Sequence, residues 1–449
     1  MKAGAPTITV VGAGLAGCEA AWQAARLGAA VVLIDMKPSG RTPAHSGDGF
    51  AELVCSNSLG AQSVDSAKGL LKQELRELGS LILRCADECR VPAGGALAVD
   101  RKRFSAAVTR SIKDCENIRT VCAEVLEIPA ERPCIIATGP LTTQSLLADI
   151  ADRLGSGCLY FFDAASPIVA LDSIDTDLTY RASRYGKGDG CYINCPMTRG
   201  QYEAFTAELC AAETAEQHGF EDSKLFEGCM PVESIAKRGP DTLRFGPLKP
   251  KGLADPATGS EPYAVVQLRQ DDLEGRLYNL VGFQTRLKFG EQKRVFSMIP
   301  GLGRADFARY GVMHRNAYVN APQALGRTYA SNGDAGLYIA GQLAGVEGYM
   351  ESVSSGLTAG INSVLRAGGE PPMEFARETL IGALAGYISD RRGAGRFQPM
   401  NANFGLLPSL EGPASRMRKK ERNAALADRS LAQIRTSATR LDSSISNCS

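Results

Sequence analysis

Two groups of residues in this 449-residue chain have types and spacings that can do chemistry. The first is Gly12-Ala13-Gly14-Leu15-Ala16-Gly17 together with Asp35. Gly12 permits a tight turn, Gly14 lets the backbone approach a pyrophosphate, and Gly17 lets a helix lie close against a strand. The free N–H groups at the start of that helix attract phosphate charge. Asp35 can accept hydrogen bonds from a ribose hydroxyl and repels a 2′-phosphate. The second group is the cysteines. There are 13, an odd number with no CxxC pair, and no histidine lies near Cys85/Cys89 or Cys191/Cys195. Neither a disulfide framework nor a metal site is expected, and a reducing cytoplasm is the natural setting. Most cysteines are small core residues. Cys229 differs because it lies in a Gly-Cys-Met-Pro turn flanked by Glu227 and Glu233, away from any apolar stripe. Cys55, in Val-Cys-Ser-Asn-Ser, differs less clearly, since Leu53 and Val54 can be core neighbours.

The elements that must position these residues are legible around them. Ile8, Val10 and Val11 form a buried strand, the glycine turn follows, and Cys18 to Leu27 has a helical composition. Gly28 ends that helix, and Ala30 to Ile34 forms a second strand closing on Asp35. Strand, glycine turn, helix, strand and terminal acid in register predict a dinucleotide-binding unit. Met36 to Gly49 reads as an exposed loop. Lys68 to Asp87 is expected to be one amphipathic helix, with Leu71, Leu75, Leu78 and Ile82 on one stripe. Val121 to Ile128 and Cys134 to Ala137 are predicted strands. The second ends in Ala-Thr-Gly-Pro, which places Thr138 and Gly139 against a ligand lying across the strand ends. Leu337 to Gly341 repeats the pattern of a buried strand running into glycine, with Gln342 next, and Gly348 to Ala367 is expected to be helical.

From about Phe161 aromatic and β-branched runs alternate with turn signals, which predicts a largely β second unit carrying some helices. Because the Leu337 strand resembles the last strand of a dinucleotide fold, that unit is expected to be inserted into the first. The expected division is residues 1–160 and 325–410 for the dinucleotide-binding unit, 161–324 for the insertion, and 411–449 for a basic, mobile tail. From Arg416 that tail carries eight Lys/Arg against three Asp/Glu. The whole chain has a formal net charge of +1, so any nucleic-acid contact must come from a local patch. Basic residues gather in the inserted unit at Arg181, Arg184 and Lys187, at Lys237, Arg238, Arg244, Lys249 and Lys251, and at Arg286, Lys288, Lys293 and Arg294. No run approaches the length a membrane span needs, so no membrane partner is expected.

The three glycine segments resemble those of glutathione-reductase-like flavoproteins, which implies FAD rather than NAD as resident cofactor. Cys55 has no CxxxxC partner, which weakens a disulfide reductase. Longer motifs go further. Ala51 to Leu59 (AELVCSNSL), Val91 to Arg101 (VPAGGALAVDR), Phe226 to Glu233 (FEGCMPVE) and Thr242 to Pro250 (TLRFGPLKP) occur in order. They are followed by Tyr278 to Thr285 (YNLVGFQT), Glu291 to Leu302 (EQKRVFSMIPGL), Arg309 to Asn316 (RYGVMHRN) and Gly345 to Gly356 (GVEGYMESVSSG). Together they resemble the TrmFO family of FAD- and methylenetetrahydrofolate-dependent tRNA (uracil-5-)-methyltransferases, from about residue 7 to 410.

That resemblance implies a reaction. A thiolate adds to uracil C6 and makes C5 nucleophilic. One carbon comes from 5,10-methylenetetrahydrofolate through a flavin N5-methylene intermediate, and NAD(P)H supplies electrons. Cys229 is implied as the nucleophile toward the base. Cys55 is the second thiol, removing the C5 proton or covering the flavin intermediate. His314 is assigned to stack on the pterin. Phe289 stands where the family pattern has tryptophan, keeping a stacking face and losing an N–H donor. His45 carries a slight catalytic expectation. The polynucleotide is expected to be tRNA at its T-loop, with ribosomal RNA as the alternative and no DNA. The basic groups of the insertion are candidates for holding phosphates, or, at Arg286 to Arg294, the folate's glutamate tail. The related GidA-type wobble-uridine flavoproteins share the architecture but are longer, and a small-molecule flavin oxidoreductase remains a further alternative.

Overall fold

The computed structural model describes residues 5–42, 44–155, 158–164, 166–186, 191–215, 230–411 and 418–447, leaving aside the side chains of 158–164, 313–315, 396 and 442–447. Its centre is a five-stranded sheet in the order Leu337–Ile339, Cys134–Ile136, Thr7–Val11, Ala30–Asp35, Ile118–Cys122. All four pairings are parallel. Ile8, Val10, Val31, Ile135 and Ile136 are fully buried, as strands covered on both faces must be. The first strand has Ala30–Asp35 on one side and Cys134–Ile136 on the other. The order therefore reverses beside it, which opens a crevice at the carboxyl ends of these strands.

Two helices lie together over one face. Leu15–Arg26 follows the glycine turn, and Tyr349–Ala367 packs along it. They approach through glycine: a Cβ on Gly356 would stand 2.1 Å from the Ala16 carbonyl oxygen, and one on Gly360 2.5 Å from that of Ala20. The expected helix over 68–87 is instead two, Ala67–Glu77 and Leu81–Glu88. Gly79 breaks it with φ +72, and the Ser80 hydroxyl accepts from Leu83 N–H to cap the second. The strand expected at Val121 to Ile128 runs earlier, over Ile118–Cys122.

A second sheet of six strands runs in the order Tyr180–Ala182, Tyr192–Met197, Ala264–Gln270, Leu277–Leu280, Ile168–Ala170, Phe307–Arg309, with every pairing antiparallel. It buries its own core around Ile193, Met197, Phe205, Phe283 and Phe296. The chain leaves for this sheet along Cys158–Ala164 and returns along Met313–Val319, and the two segments pair antiparallel from Met313↔Ala164 to Val319↔Cys158. The architecture is thus an α/β Rossmann-like unit with an inserted α+β unit. A small sheet of Ser58–Ala61, Ala96–Val99 and Arg90–Val91 lies between the strand closing on Asp35 and the insertion in chain order.

Where it is described, the tail is folded rather than extended. Lys419–Asn447 is a helix, and it buries Leu426, Ala427, Ile434 and Leu441 in the core of the Rossmann-like unit. The fully buried Ser430 hydroxyl donates to Glu74 at 2.5 Å, and Asn423 donates to the Asp65 carbonyl at 3.0 Å. Apolar residues spaced three and four apart outweigh the surplus of positive charge, which lies on the outer face. Among the described residues no helix is long and apolar enough to cross a membrane.

Candidate active site

The glycine turn closes on itself at two glycines and opens at two others. Gly12 adopts φ +96 and donates to the Ile34 carbonyl at 2.7 Å. A Cβ on Gly17 would stand 1.8 Å from the Gly12 carbonyl oxygen, so only glycine lets this helix start so close to the strand. Around Gly14 and Gly139, by contrast, a Cβ would meet nothing within 4 Å. Gly14 is the N-cap of Leu15–Arg26 and has no side-chain cap, so the first N–H groups of the helix point into that open space. A cleft continues from it, walled by Gly12, Gly14, Asp35, Lys37, Val125 and Thr138 among others. The Asp35 carboxylate is fixed by two backbone N–H groups, from Ala13 at 2.6 Å and Lys37 at 2.9 Å. On the far side, Gly341 (φ +76) approaches Ala16, where a Cβ would come within 3.2 Å. Its N–H donates to Ser355 at 2.7 Å, and Gln342 donates to Glu347 at 2.7 Å. The fold thus brings Gly12, Gly14, Leu15, Ala16, Gly17, Asp35, Thr138, Gly139, Gly341 and Gln342 to one end of the parallel sheet. His45 also lines the cleft and shares a 2.6 Å hydrogen bond with Thr42. Burial first, and then Lys37, hold its imidazole below the usual range.

The cysteines separate by environment. Burial pushes the thiols of Cys18, Cys85, Cys89 and Cys210 up, and those of Cys134 and Cys195 to about 12, which keeps them neutral and inert. Cys55 is only half-buried. Its backbone N–H donates to the Tyr349 hydroxyl at 2.9 Å, and that of Ser56 donates to the same oxygen at 3.3 Å. Tyr349 opens the helix that packs on Leu15–Arg26, so the Cys55 segment is tied to the same end of the sheet as the glycine turn. Cys229 lies outside the described residues. Just after it, the buried Glu233 accepts from Thr285 Oγ1 and Arg286 N–H, each at 2.9 Å. Burial pushes that carboxyl up.

Phe289 begins the helix Phe289–Phe296 and is 56 % exposed. It tops an aromatic column, stacked on Tyr310 at 5.0 Å between centroids, with Tyr310 stacked on Phe307 at 5.3 Å. Arg309, between the two lower rings in sequence, donates to the Val54 carbonyl at 2.5 Å, which joins the column to the Cys55 segment. His314 sits in the returning strand opposite Asp163, and its side chain lies outside the described residues. Five of the basic residues of the insertion are matched locally. Lys288 pairs with Glu213 at 2.6 Å, Arg294 with Glu208 and Glu291, Arg286 with Glu233, Arg244 with Asp241, and Lys251 with Glu261. Lys187 lies outside the described residues. Sequence reasoning passed over Tyr349, Arg101, Arg269 and Arg309. Tyr349 and the arginines at 101 and 309 lie inside the quoted motifs, but nothing local in them announces the contact.

A crevice at the switch point of a parallel sheet, a glycine turn with open space at Gly14, and an inserted antiparallel sheet define a dinucleotide-binding protein of one class. The family model for "Glucose inhibited division protein A" matches residues 7–371, and the chain belongs to that family. The Aquifex aeolicus GidA structure shares its fold at TM-score 0.72 and 18% identity, covering 98% of this chain and 74% of that one. Within this class the chain is a member of the TrmFO family. It is 56% identical over 424 residues to the methylenetetrahydrofolate–tRNA-(uracil-5-)-methyltransferase TrmFO of Acetivibrio thermocellus, covering 94% of this chain and 97% of that one. The protein of the same name from Desulforudis audaxviator is 57% identical over 428 residues, covering 95% and 97%, and that from Rubrobacter xylanophilus 58% over 407, covering 90% of each.

Proposed function

We propose that this chain methylates uracil at C5 in tRNA, with the carbon drawn from 5,10-methylenetetrahydrofolate, FAD as resident cofactor and NAD(P)H as reductant. The observation that carries this reading is the identity to TrmFO proteins over nine-tenths of the chain or more. The residues fit a flavin dinucleotide. The open cradle at Gly14 and Gly139 admits a pyrophosphate, the uncapped helix start faces it, and Asp35 is aimed at a ribose by two backbone N–H groups. Bound there, FAD supplies the one-carbon transfer and redox chemistry that no side chain can. Gly341, brought beside Ala16, and the adjoining Gln342 would help to hold it.

The chain's own residues then act on the base. Cys229 adds through sulfur to uracil C6, which makes C5 nucleophilic, and leaves again when the C5 proton is lost. Cys55 accepts that proton at Sγ. Phe289, exposed at the head of its aromatic column, offers a flat face to the folate, with His314 as the second stacking group. A uracil paired and stacked in folded RNA must be turned out to reach these thiols.

The experiment supplies purified protein with NAD(P)H, methylene-labelled methylenetetrahydrofolate, and unmodified tRNA and ribosomal RNA fragments. Label in 5-methyluridine of tRNA, lost in Cys229→Ala, is expected. Label confined to ribosomal RNA keeps the chemistry and moves the target. Protein that binds and reduces flavin but labels neither RNA overturns the reading.

A further inference from the structure

Three guanidiniums converge on the peptide that carries Cys55. Arg101 donates from Nη1 to the Leu53 carbonyl at 2.5 Å and from Nη2 to the Cys55 carbonyl at 3.0 Å, while its Nε pairs with Asp271 at 3.0 Å. Arg309 donates to the Val54 carbonyl at 2.5 Å. Arg269, 8 % exposed, donates from Nε to Asn57 Oδ1 at 3.0 Å and from Nη2 to Ser56 Oγ at 2.7 Å. Arg101 belongs to the Rossmann-like unit, whereas Arg269 and Arg309 stand on the inserted sheet. Five consecutive residues, Leu53 to Asn57, are therefore gripped from both units at once.

The charges do not balance. Asp271 answers Arg101, but Arg269 and Arg309 donate to neutral oxygens. The groups that bear on Arg269 are Tyr192, Asp271, Arg101 and Cys55, and on Arg309 they are Arg101, Tyr349, Cys55 and Asp271. Tyr192 and Tyr349 are uncharged, with the Tyr192 hydroxyl donating to the Ala93 carbonyl. Among the described residues, three guanidiniums thus contact the segment, and the carboxylate paired with one of them is Asp271. Burial lowers the affinity of both Arg269 and Arg309 for their protons, and Cys55 is among the groups that offset it.

We propose that Arg309 and Arg269 are positioning residues for Cys55: they fix its peptide across the two units and bring positive charge to the segment that carries its thiol, favouring the thiolate. The proposal rests on the reading of Cys55 as the proton-accepting thiol, because a thiolate is the form that can take the C5 proton. It also makes thiol reactivity depend on the inserted sheet being seated against the Rossmann-like unit.

The test measures the rate of Cys55 alkylation by iodoacetamide against pH in the full-length flavoprotein, resolved by peptide mass spectrometry. The thiolate displaces iodide, so the profile follows its population. Arg309→Gln is expected to move the Cys55 midpoint up by about one pH unit, slowing alkylation about tenfold below it. Arg309→Lys should move it less, and the exposed Cys122 in the same samples should not move. A Cys55 profile in Arg309→Gln that superimposes on the wild type overturns the proposal. Should that variant lose its flavin or melt early, Arg269→Gln carries the same reading. Labelled methyl transfer measured on the same samples separates the two claims. A profile that shifts in Arg309→Gln while the wild-type protein never methylates tRNA sinks the methyltransferase reading alone. An unshifted profile from an active enzyme sinks the clamp alone.

Discussion

At the scale of single residues, the glycines of the turn divide into those that serve the fold and those that serve a ligand. Gly17 faces the Gly12 carbonyl oxygen at a distance no Cβ tolerates, so Gly17→Ala must push the helix off the strand. Overpacking of this kind costs about 1–3 kcal/mol, and the whole unit is expected to melt earlier. Gly14→Ala meets no protein atom, so its thermal stability without flavin should match the wild type. Its methyl group instead occupies space meant for the pyrophosphate, and flavin content should fall. Melting curves of the flavin-stripped proteins and flavin absorbance after reconstitution check both arms. A Gly14→Ala protein that binds flavin as well as the wild type would show that the cradle lies elsewhere. The same scale shows what the sequence could not disclose. The turn was legible because its partners are neighbours in the chain. Arg269 and Arg309 were not, because they reach Ser56, Asn57 and Val54 across more than two hundred residues.

At the scale of elements, hydrophobic period outperformed charge. The parallel strands and the helix after the glycine turn follow from unbroken apolar runs and terminal glycines. The alternating runs beyond Phe161 became the strands at Tyr192–Met197, Ala264–Gln270 and Leu277–Leu280. The helix over Lys419–Asn447 was not legible behind eight basic residues, although Leu426, Ser430, Ile434 and Leu441 recur on one face. Its seat is Glu74, which accepts from Leu380 and Ile381 N–H at 2.8 and 2.9 Å while receiving Ser430. One buried carboxyl therefore joins three helices. Deleting residues 418–449 uncovers Leu70 and Leu71's helix and removes the burial of Ile434 and Leu441, each worth roughly 1.5–3 kcal/mol. A lower melting temperature is expected, where a mobile tail would leave it unchanged. Burial lifts the Glu74 carboxyl from 4.5 to about 7. The folded chain therefore holds a proton that the unfolded chain has lost between those values, and stability falls as pH rises through that window. Glu19, Glu233 and Glu351, raised by burial too, add to the same slope. The deletion rehydrates Glu74, so its stability should depend less steeply on pH there. An unchanged slope would mean Glu74 does not govern it.

For the whole molecule, a net charge of +1 sets how RNA can be held. The chain as a whole supplies no strong basic field, so an enzyme gripping tRNA through its backbone must do so from local basic patches. In the insertion Lys288, Arg294, Arg244 and Lys251 face their own carboxylates, which takes these four partly out of phosphate binding. With so little net charge, we expect affinity to rest on shape and on the extruded base more than on counterion release. For a protein making about three phosphate contacts, raising salt from about 50 to 200 mM weakens binding by roughly tens of fold, whereas 6–10 contacts lose about 10³–10⁵. Binding of unmodified tRNA, measured over that range by filter retention, is expected to follow the shallow slope. Replacing the target uridine with an abasic site should then cost more affinity than the whole change in salt. A thousandfold loss with salt, or indifference to the missing base, would show that phosphates hold the RNA and would return the basic residues of the insertion to the binding surface.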